Sequence, residues 1–250
     1  MSSYGQYCPI AKGTEILAQR WMPLIVREMM MGAHRFNHLE RGLPGISRSL
    51  LAGRLRQLVR AGVIEQRPAA FGGWVEYHLT PAGRELGQVV ERLGEWAARW
   101  AFRDPEPDER DPVLLLWWMH RRINRDLLPP GRAVVRFNFR GTKRQHLWLV
   151  LERSDVSVCL ADPGFDTDLV VTADIGAFYR VWLGRITLGG ALHDGLVEID
   201  GTPALLRAFP RWLQWSHLAG AVRAAMTNNR QAITPSVRIP APEGRRRGRR

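Results

Sequence analysis

Lysine is nearly missing from this 250-residue chain: of its 36 basic residues only Lys12 and Lys143 are not arginine. Cysteine is equally scarce. Cys8 and Cys159 fit no disulfide framework and no zinc spacing, which agrees with a reducing compartment. Long apolar runs are absent as well. The longest, Val113 to Met119, is far short of the ~20 residues that cross a bilayer, and no basic segment with an apolar follow-on opens the chain. There is no HExxH, no GxSxG, no phosphate loop ending in Gly-Lys-Ser/Thr and no dinucleotide fingerprint. These absences predict a cytoplasmic protein without stable membrane insertion, catalytic activity, metal or cofactor. His34 and His38 are four residues apart but do not share a helix, and Asp166 and Asp168 read as a polar loop entering a strand.

What is present is enough apolar sequence, 45% of residues, to fill a core, and a domain size of roughly 100 to 200 residues favours two units. The net charge of +12 is unevenly spread. Residues 1–103 hold 14 basic against 8 acidic side chains, residues 104–222 hold 14 against 15, and residues 223–250 hold 8 against 1. Basicity at the two ends raises phosphate affinity there and leaves the middle to another kind of partner. Arginine suits bidentate phosphate and guanine contacts, although a bias at the coding level explains its abundance equally well.

The Pro- and acid-rich stretch RDPEPDERDP, Arg103 to Pro112, divides the chain. The expected organisation is a first domain over 1–103, a linker over 104–112, an α+β domain over 113–222 and a basic, disordered tail over 223–250. In the first block Pro9 opens a helix to about Leu17, Pro23 opens a second that Gly32 ends, and a short third runs from about Arg35 to Arg41. A Leu43-Pro44-Gly45-Ile46 turn then delivers Ser47 as an N-cap. The helix from Ser47 to Ala61 carries Leu51, Leu55, Leu58 and Val59 on one stripe, while Arg48, Ser49, Ala52, Arg56 and Arg60 face away. Two strand-like runs follow, Val63 to Arg67 and Trp74 to Leu79, with Val75, Tyr77 and Leu79 expected to face inward. Thr80-Pro81 then starts a long helix. That order predicts a winged helix-turn-helix, in which one helix enters a major groove about 12 Å wide while the wing and the preceding helix hold phosphates. The expected contacts to double-stranded DNA are Arg35, Ser47, Arg48, Ser49, Arg56 and Arg67; a solvated arginine face is the competing account.

The stretches CPIAKGTEILAQRW, RFNHLERGLPGISRSLLAGRLRQLVRAGVIEQR and VEYHLTPAGREL resemble the HxlR-type winged-helix regulators, relatives of the MarR repressors. The resemblance covers Cys8 to about Trp100 and implies a homodimeric transcription factor, more readily a repressor, that binds a palindromic operator through the helix Ser47 to Ala61. Ala18-Gln19-Arg20 stands where a Gly-Gly-Lys is commoner, which puts the local turn in question. Trp96 and Trp100 add an independent argument for a dimer, because a domain this small has little core to bury both; packing against the second domain is the alternative. Cys8, just before Pro9, is a candidate redox-sensing thiol, against the reading of a small packed residue.

In the middle block a helix from Pro112 to Leu127, capped by Asp111, is too apolar for a surface element. Alternating runs Val134 to Arg140, Gln145 to Arg153 and Asp155 to Ala161 predict an antiparallel meander, and a strand Asp168 to Thr172 leads into a helix Asp174 to Leu183, a strand Leu196 to Ile199 and a helix Pro203 to Trp212. The run from DLVVTADIGAFYRVW to LLRAFPRWL resembles the sterol-carrier-protein-like fold, a sheet with helices on one side around an apolar tunnel. The resemblance implies a small hydrophobic ligand, with Trp148, Phe178, Trp182 and Trp212 as candidate contacts; a filled core is the alternative. A lipid-carrying or lipid-sensing protein that meets anionic membranes is the rival function. The terminal cluster Arg245, Arg246, Arg247, Arg249 and Arg250 suits salt-sensitive DNA binding or anionic lipid alike.

Overall fold

The computed structural model describes residues 3–229 apart from 71, 144 and 145. Two separate hydrophobic cores organise them. The first is built by helices α1 (Pro9–Leu17), α2 (Met22–Met30), α3 (Phe36–Gly42), α4 (Arg48–Arg60) and α5 (Pro81–Trp100), with a hairpin of β1 (Ile64–Pro68) and β2 (Val75–Leu79) between the last two. The starts and stops are those that local chemistry dictates. Ser47 accepts a hydrogen bond from the Leu50 amide at 3.3 Å, Thr80 accepts from Gly83 at 3.1 Å, and Gly62 ends α4 at φ +68°. The turn that the unusual Ala18-Gln19-Arg20 put in question closes with Trp21 at φ 81°, the one non-glycine residue in the left-handed region among those described. Such a conformation costs a bulky side chain roughly 1 to 3 kcal/mol.

Within this core Leu51, Leu55 and Leu58 of α4 are buried against Ile25, Met29, Leu39 and Leu43, which confirms the expected stripe. The hairpin departs in one respect. Tyr77 and Leu79 pack on the core, but Val75 is 49% exposed, because it pairs with Pro68 at the far end of the ladder, beyond the reach of the helices.

The second core lies under a five-stranded sheet of order β5-β4-β3-β6-β7, where β3 is Ala133–Arg140, β4 His146–Leu151, β5 Val156–Cys159, β6 Leu169–Asp174 and β7 Val197–Gly201. The expected meander is present, and β6 then crosses over to lie parallel to β3. Helices α6 (Pro112–His120), α7 (Ile175–Trp182), α8 (Leu188–His193) and α9 (Pro203–Trp212) contribute to the same core. The α+β class holds, but α6 stops at His120 rather than continuing to Leu127. The chain there turns to make an isolated bridge between Ile123 and Leu213, and only a single 3-10 turn follows at Arg125–Leu127.

Period-two alternation assigns the faces of this sheet. Val135, Phe137 and Phe139 of β3 and Leu147, Leu149 and Leu151 of β4 point into the core. Trp148 therefore lies on the opposite face, paired with Arg136 and Cys159, and cannot line a tunnel on the helical side. Phe178 and Trp212 are on that side but are filled core: Phe178 sits 5.8 and 5.6 Å from the rings of Phe137 and Phe139, and Trp212 is 1% exposed. A further departure concerns the tail. Residues 219–229 form a last helix, α10 (Ala219–Asn229), packed along α5, where Leu218 closes on Gly94. Residues 223–229, expected to belong to a disordered tail, are helical; residues 230–250, with the arginine cluster, lie outside the described residues. Among the described residues no helix is long and apolar enough to cross a membrane.

The two units are joined through one buried carboxylate. Glu28 on α2 is fully buried and accepts hydrogen bonds from Arg27, from the Trp118 indole of α6 at 3.2 Å and from Arg121, which caps the C-terminus of α6. Helix α3 crosses so closely that a Cβ on Gly42 would sit 2.0 Å from Glu28 Oε2. A charge buried with such partners is strongly destabilising to orphan, at about 3 to 5 kcal/mol when one partner is removed. Glu28→Ala is therefore expected to lower stability by about that amount, and Gly42→Ala by about 1 to 3 kcal/mol through overpacking. Denaturant unfolding measures both; a Gly42→Ala chain as stable as wild type would contradict the close crossing.

Candidate nucleic-acid interface

The outward face of α4 is built by the same spacing that buries its leucines. Ser47, Arg48, Ser49, Arg56 and Arg60 are exposed, and Ser49, Gly53, Arg56 and Arg60 follow one another at four, three and four residues along one line. The small residues Ser49, Ala52 and Gly53 near the start of this line leave room for close approach of a ligand backbone or base edge. Ser47 and Ser49 share a hydroxyl hydrogen bond of 3.2 Å beside the free amides of the first turn.

The flanking arginines are held differently from those of α4's later turns. Arg48 forms an ion pair with Glu40 of α3 and lies 4.9 Å from the Phe36 ring. Arg35, at the N-cap of α3, reaches across to the wing, where it bonds Glu76 at 3.3 Å and stacks 4.5 Å from the Trp74 ring. Arg67 on β1 pairs with Glu65. Desolvation is the largest single influence on Glu76 and raises its pKa, but the hydrogen bonds and charges of Arg35 and His78 together outweigh it and hold the carboxyl below the usual range. By contrast, no carboxylate among the described residues pairs with Arg56 or Arg60.

Of the six expected contact residues, Ser47, Arg48, Ser49 and Arg56 are exposed on α4 and its N-cap, Arg35 caps α3 and Arg67 lies on the wing; Arg35, Arg48 and Arg67 are engaged with carboxylates, and Arg56 with none among the described residues. Arg60 was visible on the outward stripe and belongs with them as much as Arg56 does. His34 and His78 stack at 4.4 Å, with His34 bonded to the Tyr77 carbonyl at 3.1 Å, so they serve the join between wing and helices. Cys8 is the N-cap residue of α1 and is partly exposed, with its carbonyl accepting from the Lys12 amide at 3.0 Å. Cys159 lies on β5, where burial pushes its thiol pKa up. Among the described residues no cluster of three or more His, Cys, Asp or Glu could hold a metal ion.

Comparison with known proteins gives this surface its context. Residues 16–105 match the HxlR-like helix-turn-helix family. The HTH-type transcriptional regulator YvaP of Bacillus subtilis (strain 168) is 34% identical over 101 residues, which are 38% of this chain and 90% of that one. An HTH-type transcriptional regulator of Mycobacterium tuberculosis (strain ATCC 25618 / H37Rv) is 36% identical over 99 residues, 39% of this chain, and the match spans 62% of that relative's length. The solved structure of the transcriptional regulator YodB from B. subtilis is 30% identical, covering 38% of this chain and 96% of that one, with a TM-score of 0.33. Through its first unit this chain belongs to the HxlR-like helix-turn-helix family of DNA-binding transcriptional regulators.

Proposed function

We propose that the chain acts as a homodimer that places one α4 helix from each protomer into successive major-groove faces of a palindromic operator. The observation that carries this is on α5. Val89, Leu93, Trp96 and Trp100 recur at four, three and four residues and are 52%, 48%, 51% and 69% exposed, even though α10 already packs along the same helix. Among the described residues, the second unit of the same chain therefore does not cover the two tryptophans. An apolar stripe of this length on a surface helix calls for a partner, and a second copy brings an identical stripe to meet it. Two-fold symmetry in the protein then asks for two-fold symmetry in the DNA. A dimer seated across a promoter excludes polymerase, so repression is the simplest outcome. No catalytic role is part of this reading.

The second unit supports a ligand-responsive role, but at another place than its own core. The sheet with helices on one face suits a sterol-carrier-protein-like unit, while its interior is filled. Space of about 520 Å³ opens instead between the units, lined by Arg27, Phe102, Trp118, Tyr179, Trp182 and Leu218 among others. Of the four expected ligand contacts only Trp182 lines it. A hydrophobic molecule lodged there touches α2 and the end of α5 on one side and α6 and α7 on the other. It can regulate only if it binds the DNA-competent and DNA-incompetent arrangements unequally.

Three measurements test this reading. In fluorescence anisotropy with operator DNA, Arg56→Ala and Arg60→Ala are each expected to lose about 1 to 3 kcal/mol if they reach bases, or to lower the salt slope by about 1 if they reach phosphate. Arg48→Ala should lose less, since Arg48 must first leave Glu40. Wild-type retention by the Arg56→Ala, Arg60→Ala double variant would remove α4 from the groove. Sedimentation should give a dimer that Trp96→Glu with Trp100→Glu converts to monomer, with loss of operator affinity; a monomeric wild type ends the symmetric reading. Hydrophobic compounds titrated into the protein–DNA complex should release DNA from wild type and not from Phe102→Ala, and release from neither by any compound removes the effector.

A further inference from the structure

A second space between the units differs in chemistry from the apolar cleft. It is about 370 Å³ and is walled by His38 and Arg41 of α3, by Trp117, His120 and Arg121 at the end of α6, by Arg125, and by Asp155 and its neighbours at the start of β5. Trp117 lies at its centre of contacts. The guanidiniums of Arg41 and Arg121 sit 5.3 and 5.4 Å from its ring, His120 lies 4.4 Å away and His38 meets it edge-on at 5.5 Å.

Two of these lining residues carry buried nitrogens without a hydrogen-bond partner among the described residues: Trp117 Nε1 and Arg121 Nη1. Trp117 is only 7% exposed and the Arg121 side chain 9%. Indole and guanidinium nitrogens only donate, so what is missing around them is an acceptor. Arg121 has its other terminal nitrogen committed to Glu28 and its Nε to the Trp117 carbonyl at 3.3 Å, which fixes the guanidinium in place. The lining holds three guanidiniums and one carboxylate, Asp155, which accepts from Ser157 Oγ at 2.6 Å. Burial and the neighbouring Arg121 press the His120 pKa down to about 4, and burial with Arg35, Arg41 and Arg121 lowers that of His38, so the histidines add no charge at neutral pH. Glu28 behind the wall is shared by Arg121 and Arg27, so with that pair counted in, four guanidiniums stand against two carboxylates and an excess of two positive charges remains.

We propose that this pocket binds a small dianion, of the phosphate-monoester or dicarboxylate class. Such a ligand neutralises the excess charge, supplies acceptors to the orphaned donors and fits the volume, and the fork of Arg121 with Arg41 and Arg125 suits planar or tetrahedral oxygens alike. Its place is significant. Arg41 belongs to α3, which hands the chain to α4, whereas Arg121 and Arg125 belong to the second unit, so an occupant ties the two together. The consequence of that tie for DNA rests on the function proposed above; binding itself does not, and it is measured without DNA.

Calorimetric titration of the full chain with inorganic phosphate, glycerol 3-phosphate and succinate is the test, the phosphates and the dicarboxylate separating the two ligand sources. At least one is expected to bind saturably near one per chain. Arg41→Gln with Arg125→Gln, both exposed side chains, should weaken it about tenfold or more, and Asp155→Asn should tighten it. Arg207→Gln with Arg211→Gln, an equal loss of charge on exposed α9 positions, should change nothing. No saturable binding of any probe, or an equal loss in both double variants, overturns the proposal.

Discussion

The structure depends on Glu28. A carboxylate removed from water is tolerable only with strong donors around it, and this one is ringed by Arg27 from its own helix, by Trp118 of α6 and by Arg121 at the C-cap of α6. Meeting those donors fixes the position of α6 relative to α2, and the close crossing of α3 at Gly42 fixes the third element. It also explains why α6 is apolar nearly all round. One side of the helix faces the sheet core through Leu115, Leu116 and Met119, and the other presents Trp117 and Trp118 to the first unit, so little of it meets water.

From that junction the two spaces between the units follow. Trp118 and Arg27 lie on the rim of the apolar cleft, Trp117 and Arg121 on that of the cationic pocket, and Glu28 bonds residues belonging to both. Any molecule that changes the geometry of one space acts on the same ion pairs that border the other. Breaking a buried ion pair of this kind by removing one partner is strongly destabilising, so the junction holds the two units in this arrangement.

The surface of α3, α4 and the wing uses arginine in two ways. Arg35 and Arg48 are paired with carboxylates on neighbouring elements and Arg67 with Glu65 on its own strand, and pairs this exposed contribute little stability, typically about 0 to 1 kcal/mol. They orient side chains that a phosphate can take over at small cost. Among the described residues Arg56 and Arg60 have no such partner; they lie exposed at the middle and end of α4. The near absence of lysine thus has a structural correlate, since stacking of Arg35 on Trp74 and of Arg48 on Phe36 exploits the flat guanidinium.

Local chemistry was legible. Pro, Gly and the capping residues Ser47, Thr80, Asp111 and Asp174 set helix starts within a residue, and the leucine period of α4 separated its buried from its exposed face. Strand alternation also held the answer for Trp148, because it stands between two core-facing leucines. The parallel insertion of β6 beside β3, the packing of a weakly patterned α10 on α5, and the partners of Glu28 some 90 residues away had no local signature. Caps and periodicities act between residues a turn or a strand apart and are written in consecutive sequence. Cavities and buried charges depend on which surfaces meet, and only the folded chain brings those surfaces together.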